Sequence, residues 1–351
     1  MATGKDRYQF ASDNTAAICP QAWKALEEAN SENAAAYGED KWTRLVSDRV
    51  REIFETDCEV FLVFNGTAAN SLALAHLCRS YHGVICHEES HIETDECGGP
   101  EFFSGGCKLF PASGENGKLD PTRVNAVIVA QLEHGVHAPK PHAISIAQST
   151  ELGTVYQIDE VEKIAELARV RSLALHMDGA RFANAVASLN CAPKAITWMA
   201  GVDVLCFGGT KNGTAAGELV IFFKKELATE FEYRAKQAGQ LASKTRFLAA
   251  PWAGILADDV WLENARYANR HAKMLAAKLT TEVGISPAFP CEANAVFVRM
   301  TEVVVRELHD LGWNFYKFLD PDIYRLMSSW MVTSKDVDAF VEDVKRVSGK
   351  R

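Results

Sequence analysis

The chain has 351 residues, enough for one large hydrophobic core and a second, smaller domain. Hydrophobic residues make up 48% and charged residues 24%, which is typical of a globular protein and excludes a disordered, collagenous or coiled-coil chain. The formal net charge of -9 provides no basic surface for nucleic acid or for an anionic membrane, so neither is expected as a partner.

The opening segment "MATGKDRYQFASDN" (1–14) has no apolar core flanked by positive charge, and no later apolar run is long enough to cross a bilayer. We therefore expect a cytoplasmic protein. Nine cysteines are spread along the chain without a C-x-x-C pair. This spacing indicates reduced packing residues, and it favours neither a zinc site nor a disulfide framework.

Short apolar runs alternate with helical patterns over the first part of the chain. The run at 58–64 is predicted to be a strand, followed by a tight turn and a helix in "NGTAANSLALAHLC" (65–78). Another helix is predicted in "IDEVEKIAELARVRS" (158–172). Further buried strands are predicted at 83–87 ("GVICH"), 125–130 ("NAVIVA"), 143–148 ("AISIAQ"), 173–178 ("LALHMD") and 202–207 ("VDVLCF"). The alternation predicts an α/β fold with a largely parallel sheet that is covered on both faces.

The pattern changes at about residue 256. A long amphipathic helix is predicted at 258–284, followed by short strand candidates and a closing helix at 335–347. We therefore predict an N-terminal arm and large domain at 1–255 and a small C-terminal domain at 256–351. The sequence between them contains no long linker, so the two domains are expected to share an interface.

One lysine has an unusual setting. The segment "LCFGGTKNGTAAGELVIFF" (205–223) places Lys211 in a small turn between two apolar runs. Keeping an amine protonated in such a place costs free energy, and its pKa is easily shifted. These properties suit a Schiff base better than a surface charge. A lysine of an ordinary turn is the alternative, so the interpretation depends on the rest of the site.

Polar residues follow several of the predicted strands, and ligands of open parallel sheets collect at these strand ends. Gly66 and Thr67 open a helix whose N-terminus suits a phosphate, although a plain helix cap explains the same turn. His91 can serve as a general base, as a stacking surface or as an ordinary surface histidine. Asp178 and Arg181 follow another strand, where a helix cap and a salt bridge are the alternatives.

These residues together match the requirements of pyridoxal 5'-phosphate. Its aldehyde needs an amine, its ring nitrogen needs an anion that keeps it protonated as an electron sink, and its phosphate needs backbone amides. The amine is Lys211, the anion is Asp178, and the backbone amides belong to the turn at 66–67. The sequence therefore predicts this cofactor and no metal.

Seven motifs carry a resemblance to a known family. They are "FASDNTA" (10–16), "YGED" (37–40), "NGTAAN" (65–70), "HIETDECGG" (91–99), "HMDGARF" (176–182), "FGGTKNG" (207–213) and "YRLMSSW" (324–330). Through them the whole chain resembles the low-specificity L-threonine aldolases, which are pyridoxal phosphate enzymes of the aminotransferase-like class (fold type I, in the β-eliminating lyase group). The resemblance implies a large domain with a mostly parallel sheet and a smaller C-terminal α/β domain.

The resemblance assigns roles toward the cofactor. Lys211 would hold the cofactor as a Schiff base, and Asp178 would bond its ring nitrogen. Arg181 would hold the phenolate oxygen of the ring, and His91 would stack on the ring face. Gly66 and Thr67 would hold the phosphate.

The resemblance also assigns roles toward an amino acid substrate and a neighbouring subunit. Ser12 and Arg325 would bind the substrate carboxylate, because a guanidinium offers bidentate geometry. Tyr37 and Lys244 would reach the cofactor of a neighbour in a homodimer or homotetramer whose sites lie between subunits.

One position departs from the family pattern. Many relatives carry a histidine near the substrate's β-hydroxyl before "GTVY", whereas this chain has Glu151 there. Glutamate cannot stack but can accept a proton, so we expect the reaction class to survive with either an altered base or an altered side-chain preference. The alternatives for that base are Glu151, His91 and a water molecule.

The implied activity is retro-aldol cleavage. A β-hydroxy-α-amino acid such as L-threonine, L-allo-threonine or phenylserine would be split between Cα and Cβ into glycine and an aldehyde. The alternatives are a β-eliminating lyase of the same fold and, more distantly, a non-catalytic binding protein. The preferred aldehyde, the threo or erythro selectivity and the choice between dimer and tetramer stay open at this stage.

Overall fold

The computed structural model describes residues 7–349 and contains a central sheet of seven strands. The strands are β1 (Glu59–Val63), β2 (His82–His87), β3 (Lys108–Ala112), β4 (Lys140–Ala147), β5 (Ala174–Gly179), β6 (Val204–Phe207) and β7 (Glu218–Phe222). Their order across the sheet is β1-β7-β6-β5-β4-β2-β3. Strands β2 to β6 pair in parallel, and β7 runs antiparallel to both β1 and β6. The predicted largely parallel sheet is confirmed.

Helices cover both faces of this sheet. They are α1 (Pro20–Ala29), α2 (Lys41–Phe54), α3 (Gly66–Leu77), α4 (His91–Thr94), α5 (Gly99–Ser104), α6 (Pro121–Glu133), α7 (Ile158–Val170), α8 (Phe182–Leu189), α9 (Phe231–Gln237) and α10 (Arg246–Leu256). Leu205 and Phe207 of β6 pack into one core cluster, and Val204 and Cys206 pack into another. Because successive side chains of a strand point to opposite faces, strands buried on both faces read as continuous apolar runs.

One predicted strand is wrong. Residues 125–130 belong to α6, and two strands of the large sheet, β3 and β7, are absent from the predicted strands. Asp120 caps this helix by accepting hydrogen bonds from the backbone N–H groups of Thr122 and Arg123. Val124 and Ile128, four positions apart, are its buried residues. The apolar run in this segment is therefore one turn of a half-exposed helix, which periodicity over six residues does not separate from a strand.

A second sheet of three strands follows the large one. The remaining elements are α11 (Val260–Lys278), β8 (Ala295–Arg299), α12 (Glu302–Asp310), β9 (Tyr316–Leu319), β10 (Ile323–Met327) and α13 (Ser334–Ser348). Strand β10 lies between β8 and β9 and is antiparallel to both. The predicted long helix and the predicted closing helix correspond to α11, continued by a π-helical turn at Leu279–Val283, and to α13.

The N-terminal arm packs against this second sheet. Phe10 is fully buried in the same core cluster as Val296 and Leu326, and the backbone N–H of Met327 donates to the Phe10 carbonyl over 2.8 Å. The domain boundary between residues 255 and 256 stays a prediction. Residues 1–6 of the first predicted domain and of the opening segment, and residues 350–351 of the second domain, lie outside the described residues.

Within residues 7–349, no helix combines the length and the apolar character that crossing a membrane requires. All nine cysteines are free thiols, and most of them are buried. The same part of the chain holds no group of three or more His, Cys, Asp or Glu side chains arranged to bind a metal.

Candidate active site

The pairing of three parallel strands places the candidate residues at one edge of the sheet. Asp178 in β5 lies beside Ala147 of β4 on one side and Cys206 of β6 on the other. Because these strands run in the same direction, the turns that follow them, which carry Glu151 and Lys211, meet at the same edge.

A cavity of about 340 Å³ opens at this edge. It contains five of the predicted residues, namely Gly66, Thr67, His91, Asp178 and Lys211. The other residues that line it are Asn14, Asn65, Ala69, Asn70, Ala180, Cys206, Gly208, Thr210 and Glu218. The structure therefore brings the predicted amine, carboxylate, imidazole and helix N-terminus together in one space.

Lys211 lies half-buried in a 3-10 turn, Thr210–Asn212, whose backbone is fixed from several sides. The Asn212 side chain donates to the Trp261 carbonyl over 2.8 Å. The backbone N–H of Gly209 donates to the buried carboxylate of Glu218 over 2.5 Å. A β-carbon at residue 209 would stand 2.6 Å from the Trp252 ring, which is why glycine precedes this turn.

The N-terminus of α3 forms the opposite end of the cavity. The Asn65 side chain caps the helix by accepting from the backbone N–H of Ala68 over 2.9 Å. A β-carbon at Gly66 would meet no atom within 4 Å, so the space beside the first turn is open. The first N–H groups of a helix have no acceptor within the helix, which makes this end suitable for an anion.

Asp178 is buried and held by two hydrogen bonds. Its Oδ1 accepts from the backbone N–H of Ala180 over 2.9 Å, and its Oδ2 accepts from the Asn70 amide over 2.7 Å. The same Asn70 nitrogen donates to Oε1 of Glu96 over 2.8 Å. Asn70 and Glu96 lie inside the motifs at 65–70 and 91–99, but the sequence analysis gave them no role.

His91 begins α4 and contacts Glu96 through its Nδ1 atom over 2.9 Å. The Glu96 hydrogen bond raises the pKa of His91 against the opposing effect of burial, and the carboxylates of Asp178 and Glu151 act in the same direction as Glu96. Burial raises the pKa of Glu96 itself. His91 therefore lines the cavity and interacts there with three carboxylates, of Glu96, Asp178 and Glu151.

Arg181 is paired with a residue that sequence reasoning missed. Its Nε and Nη2 atoms donate to the two oxygens of Asp13 over 2.7 and 2.9 Å, and the Asp13 side chain is fully buried. Burial raises the pKa of Asp13, but the Arg181 guanidinium outweighs it and holds that pKa at about 2. Only Nη1 of Arg181 lies outside this pair, so the predicted contact with a cofactor oxygen stays a prediction.

Arg325, Glu151 and Ser12 lie outside the cavity lining but share its electrostatic surroundings. The guanidinium of Arg325 lies 4.9 Å from the centre of the Phe318 ring, and its buried Nε has no hydrogen-bond partner in residues 7–349. Burial and the neighbouring Arg181 lower the pKa of Arg325, while Glu151 opposes them. Ser12 caps the 3-10 helix Asp13–Thr15 by accepting from a backbone N–H.

Tyr37 and Lys244 are exposed and lie away from the cavity of their own chain. The backbone N–H of Tyr37 donates to the carbonyl of Ser243 over 3.1 Å, so the two predicted residues share one surface. The ammonium of Lys236 lies 4.6 Å from the centre of the Tyr37 ring.

The donor set of the cavity fits pyridoxal phosphate. Lys211 can hold the aldehyde, the buried Asp178 can bond the ring nitrogen, and the open N-terminus of α3 can take the phosphate. The α/β architecture and this site define a pyridoxal-phosphate-dependent enzyme of fold type I.

Comparison with known proteins gives the family. The beta-eliminating lyase family model matches residues 9–303. A low specificity L-threonine aldolase from Pseudomonas aeruginosa is 53% identical, covering 97% of this chain and 98% of the relative, and another from a Pseudomonas species is 52% identical. The structure of Leishmania major threonine aldolase covers 97% of this chain and 99% of its own, with a TM-score of 0.91 at 28% identity. The chain therefore belongs to the beta-eliminating lyase family, and its predicted resemblance to low-specificity L-threonine aldolases is confirmed.

The buried Arg181–Asp13 pair gives a stability prediction. Asp13→Asn keeps the shape of the side chain but leaves the Arg181 guanidinium without its counter-charge, so we expect the free energy of unfolding to fall by about 3 kcal/mol. The measurement is urea denaturation. The control is Glu52→Gln, which removes an exposed carboxylate paired with Arg49 and should cost no more than about 1 kcal/mol. Equal losses in the two variants would contradict the importance of the buried pair.

Proposed function

We propose that this protein is a pyridoxal-phosphate-dependent aldehyde-lyase that cleaves L-threonine, L-allo-threonine or a related β-hydroxy-α-amino acid into glycine and an aldehyde. The observation that carries the proposal is the cavity that joins Lys211, Asp178 and His91 in a chain 53% identical to a low specificity L-threonine aldolase. The family description also includes β-elimination, but the two relatives that match nearly the whole chain carry the aldolase name, which favours cleavage of Cα–Cβ.

The residues of the cavity prepare the cofactor for this reaction. When bound, pyridoxal phosphate supplies the electron sink that accepts the electron pair of the broken Cα–Cβ bond. The Asp178 carboxylate, fixed by Asn70 and Ala180, holds a proton at the ring nitrogen and so keeps the sink effective. Lys211 provides the amine that retains the cofactor, and the N-terminus of α3 holds its phosphate.

Arg325 and Ser12 bind the substrate carboxylate in this account. The unpartnered Nε of Arg325 supports it, because a buried guanidinium with a free donor suits bidentate binding of a carboxylate. Such binding would fix the orientation of the substrate's Cα–Cβ bond relative to the bound cofactor and so would select the bond that breaks.

Glu151 takes the proton of the substrate's β-hydroxyl. Its half-buried carboxylate makes no hydrogen bond or ion pair with residues 7–349, so its oxygens are available to a substrate. It also lies close enough to raise the pKa values of His91 and Arg181, which places its charge beside the cavity.

We also propose a cytoplasmic homodimer or homotetramer in which Tyr37 and Lys244 reach the cofactor of a neighbour. Among the described residues that line the cavity, Lys211 is the only lysine or arginine, and it is committed to the aldehyde, whereas a phosphate needs positive charge of its own. The shared exposed surface of Tyr37 and Lys244 supports this arrangement. Localisation in the cytoplasm is supported by the nine cysteines, all of which are free thiols.

The reaction is tested by its products. We expect the purified protein to convert L-threonine into equal amounts of glycine and acetaldehyde, whereas β-elimination would release a 2-oxo acid and ammonia. Lys211→Ala should lose the visible absorbance of the bound cofactor and nearly all turnover, because the retaining amine is gone. Lys163→Ala, which changes an exposed lysine of α7, is the control and should keep both.

Asp178→Asn tests the partner of the ring nitrogen. A neutral side chain no longer favours the protonated ring, so we expect weaker retention of the cofactor and a sharp fall in turnover. Both are measured by absorbance after gel filtration and by glycine release. Asp159→Asn at an exposed position of α7 is the matched control. Unchanged turnover of the Asp178 variant would show that this aspartate serves only as a structural cap.

Glu151→Gln tests the base. The change keeps the size and hydrogen-bonding reach but removes the proton acceptor, so cleavage of threonine should slow about a hundredfold while glycine still binds. Turnover of threonine and phenylserine is measured for Glu151→Gln, for His91→Asn and for the exposed control Glu133→Gln. A Glu151→Gln variant with full activity on threonine and only a changed preference for phenylserine would assign the base role to His91 or to a water molecule.

A further inference from the structure

A second carboxylate lies beneath the cavity, and the cleavage reaction as described above does not use it. The side chain of Glu96 has no solvent exposure, and it follows α4 in the chain. Its Oε1 atom is within hydrogen-bond distance of both the Asn70 amide, at 2.8 Å, and Nδ1 of His91, at 2.9 Å. Its other oxygen lies 3.5 Å from the Ser71 hydroxyl.

The two N–H bonds of the Asn70 amide determine which atoms of this network donate and which accept. An amide nitrogen has two hydrogens, and Asn70 gives one to Asp178 and one to Glu96. Oδ2 of Asp178 and Oε1 of Glu96 therefore both accept a hydrogen bond from Asn70. Oε1 of an ionised Glu96 can then only accept from His91, so Nδ1 of the imidazole carries the hydrogen. This leaves Nε2 of His91 as the nitrogen available to the cavity.

The charges around His91 come from several elements. Glu96 follows α4, Asp178 ends β5, and Glu151 lies in the turn after β4, and all of them raise the pKa of His91. Lys211 and Glu218 line the same cavity on the turn after β6 and on β7. Of these groups, Glu96 is the one that contacts the imidazole directly, and its hydrogen bond has the largest effect on the pKa of His91.

We propose that Glu96 is a positioning residue that acts through His91, holding the imidazole in one orientation and one tautomer and favouring its protonated form. Through Asn70 the same carboxylate fixes Asp178, so that the ring-stacking residue and the partner of the ring nitrogen form one unit. The consequence is a proton held at Nε2 of His91 on the cavity side. This inference rests on the proposed function, in which His91 faces the cofactor.

The first test is the titration of His91 in the full-length protein as purified. The imidazole signals of the 10 histidines are followed by NMR, and the His91 signal is identified as the one lost in His91→Asn. We expect a His91 midpoint above the ordinary value of about 6.5 in the unmodified protein. In Glu96→Gln the midpoint should fall by about one pH unit or more. Glu93→Gln, an exposed position of the same short helix, is the matched control and should leave the midpoint unchanged.

The second test separates positioning from a merely structural role. If Glu96 acts mainly through His91, then Glu96→Gln lowers turnover in the parent protein and causes a much smaller loss in the His91→Asn background, where only its contact with Asp178 through Asn70 remains to be lost. The limb of the turnover–pH profile that reports His91 should move with the NMR midpoint. Additive losses in the double variant, or a midpoint that does not move in Glu96→Gln, would overturn the proposal.

If Glu96→Gln does not fold, two other measurements still test the proposal. Glu96→Asp keeps the charge but shortens the side chain, so it should give a midpoint between those of the parent and Glu96→Gln. The midpoint of the unmodified protein needs no variant, and a value below about 6.5 would contradict the proposal by itself. The titration does not depend on turnover, so a protein that shows the shift but releases no glycine would disprove the proposed function alone.

Discussion

The parallel pairing of β4, β5 and β6 is the constraint on which the site depends. It holds Asp178 between Ala147 and Cys206 and therefore brings the turns after all three strands to one edge. Strands buried on both faces cannot change register without exposing their apolar side chains, so this edge is rigid. A site built on such a frame keeps its carboxylate, amine and imidazole in fixed positions, which is the condition for electrostatic preorganisation.

Several charged groups of this region have a hydrogen-bonding partner. Arg181 has Asp13, His91 has Glu96, and the Lys211 turn is bound to Glu218 through the backbone of Gly209. Charges removed from water are tolerated only when such partners satisfy them. Arg325 breaks the pattern, because its buried Nε has no hydrogen-bond partner within residues 7–349. This free donor is the reason for proposing that Arg325 binds the carboxylate of an amino acid substrate.

Most strands of the large sheet can be predicted from the sequence, and the strands that cannot be predicted are missed for physical reasons. Apolar runs bounded by turns located five of the seven strands of the large sheet, because burial on both faces leaves a strong composition signal. The segment of β7 reads only as an apolar run after the Lys211 turn. The segment 125–130 resembles a strand because its apolar run is shorter than two helical turns, and the signal for a helix is the capping Asp120 that precedes it. The strand β3 begins with an exposed lysine and contains a proline, so its pattern is weak.

The partners of the site residues could not be found in the same way. Asp13 lies 168 positions from Arg181, and Asn70 lies 108 positions from Asp178. Hydrogen bonds over such separations leave no periodic signal in one sequence. No role for Glu96 follows from the sequence, because only its burial and its contact with His91 distinguish it from Glu93 in the same segment.

The central claim is that the turn after β6 retains the cofactor at Lys211. Borohydride reduction of the purified protein followed by peptide mass spectrometry tests it directly, since reduction makes the link between a lysine and the cofactor permanent. The account predicts the added mass on the peptide that contains Lys211 and on no other lysine of the chain. The same mass on a different lysine, with Lys211 unmodified, would contradict the account.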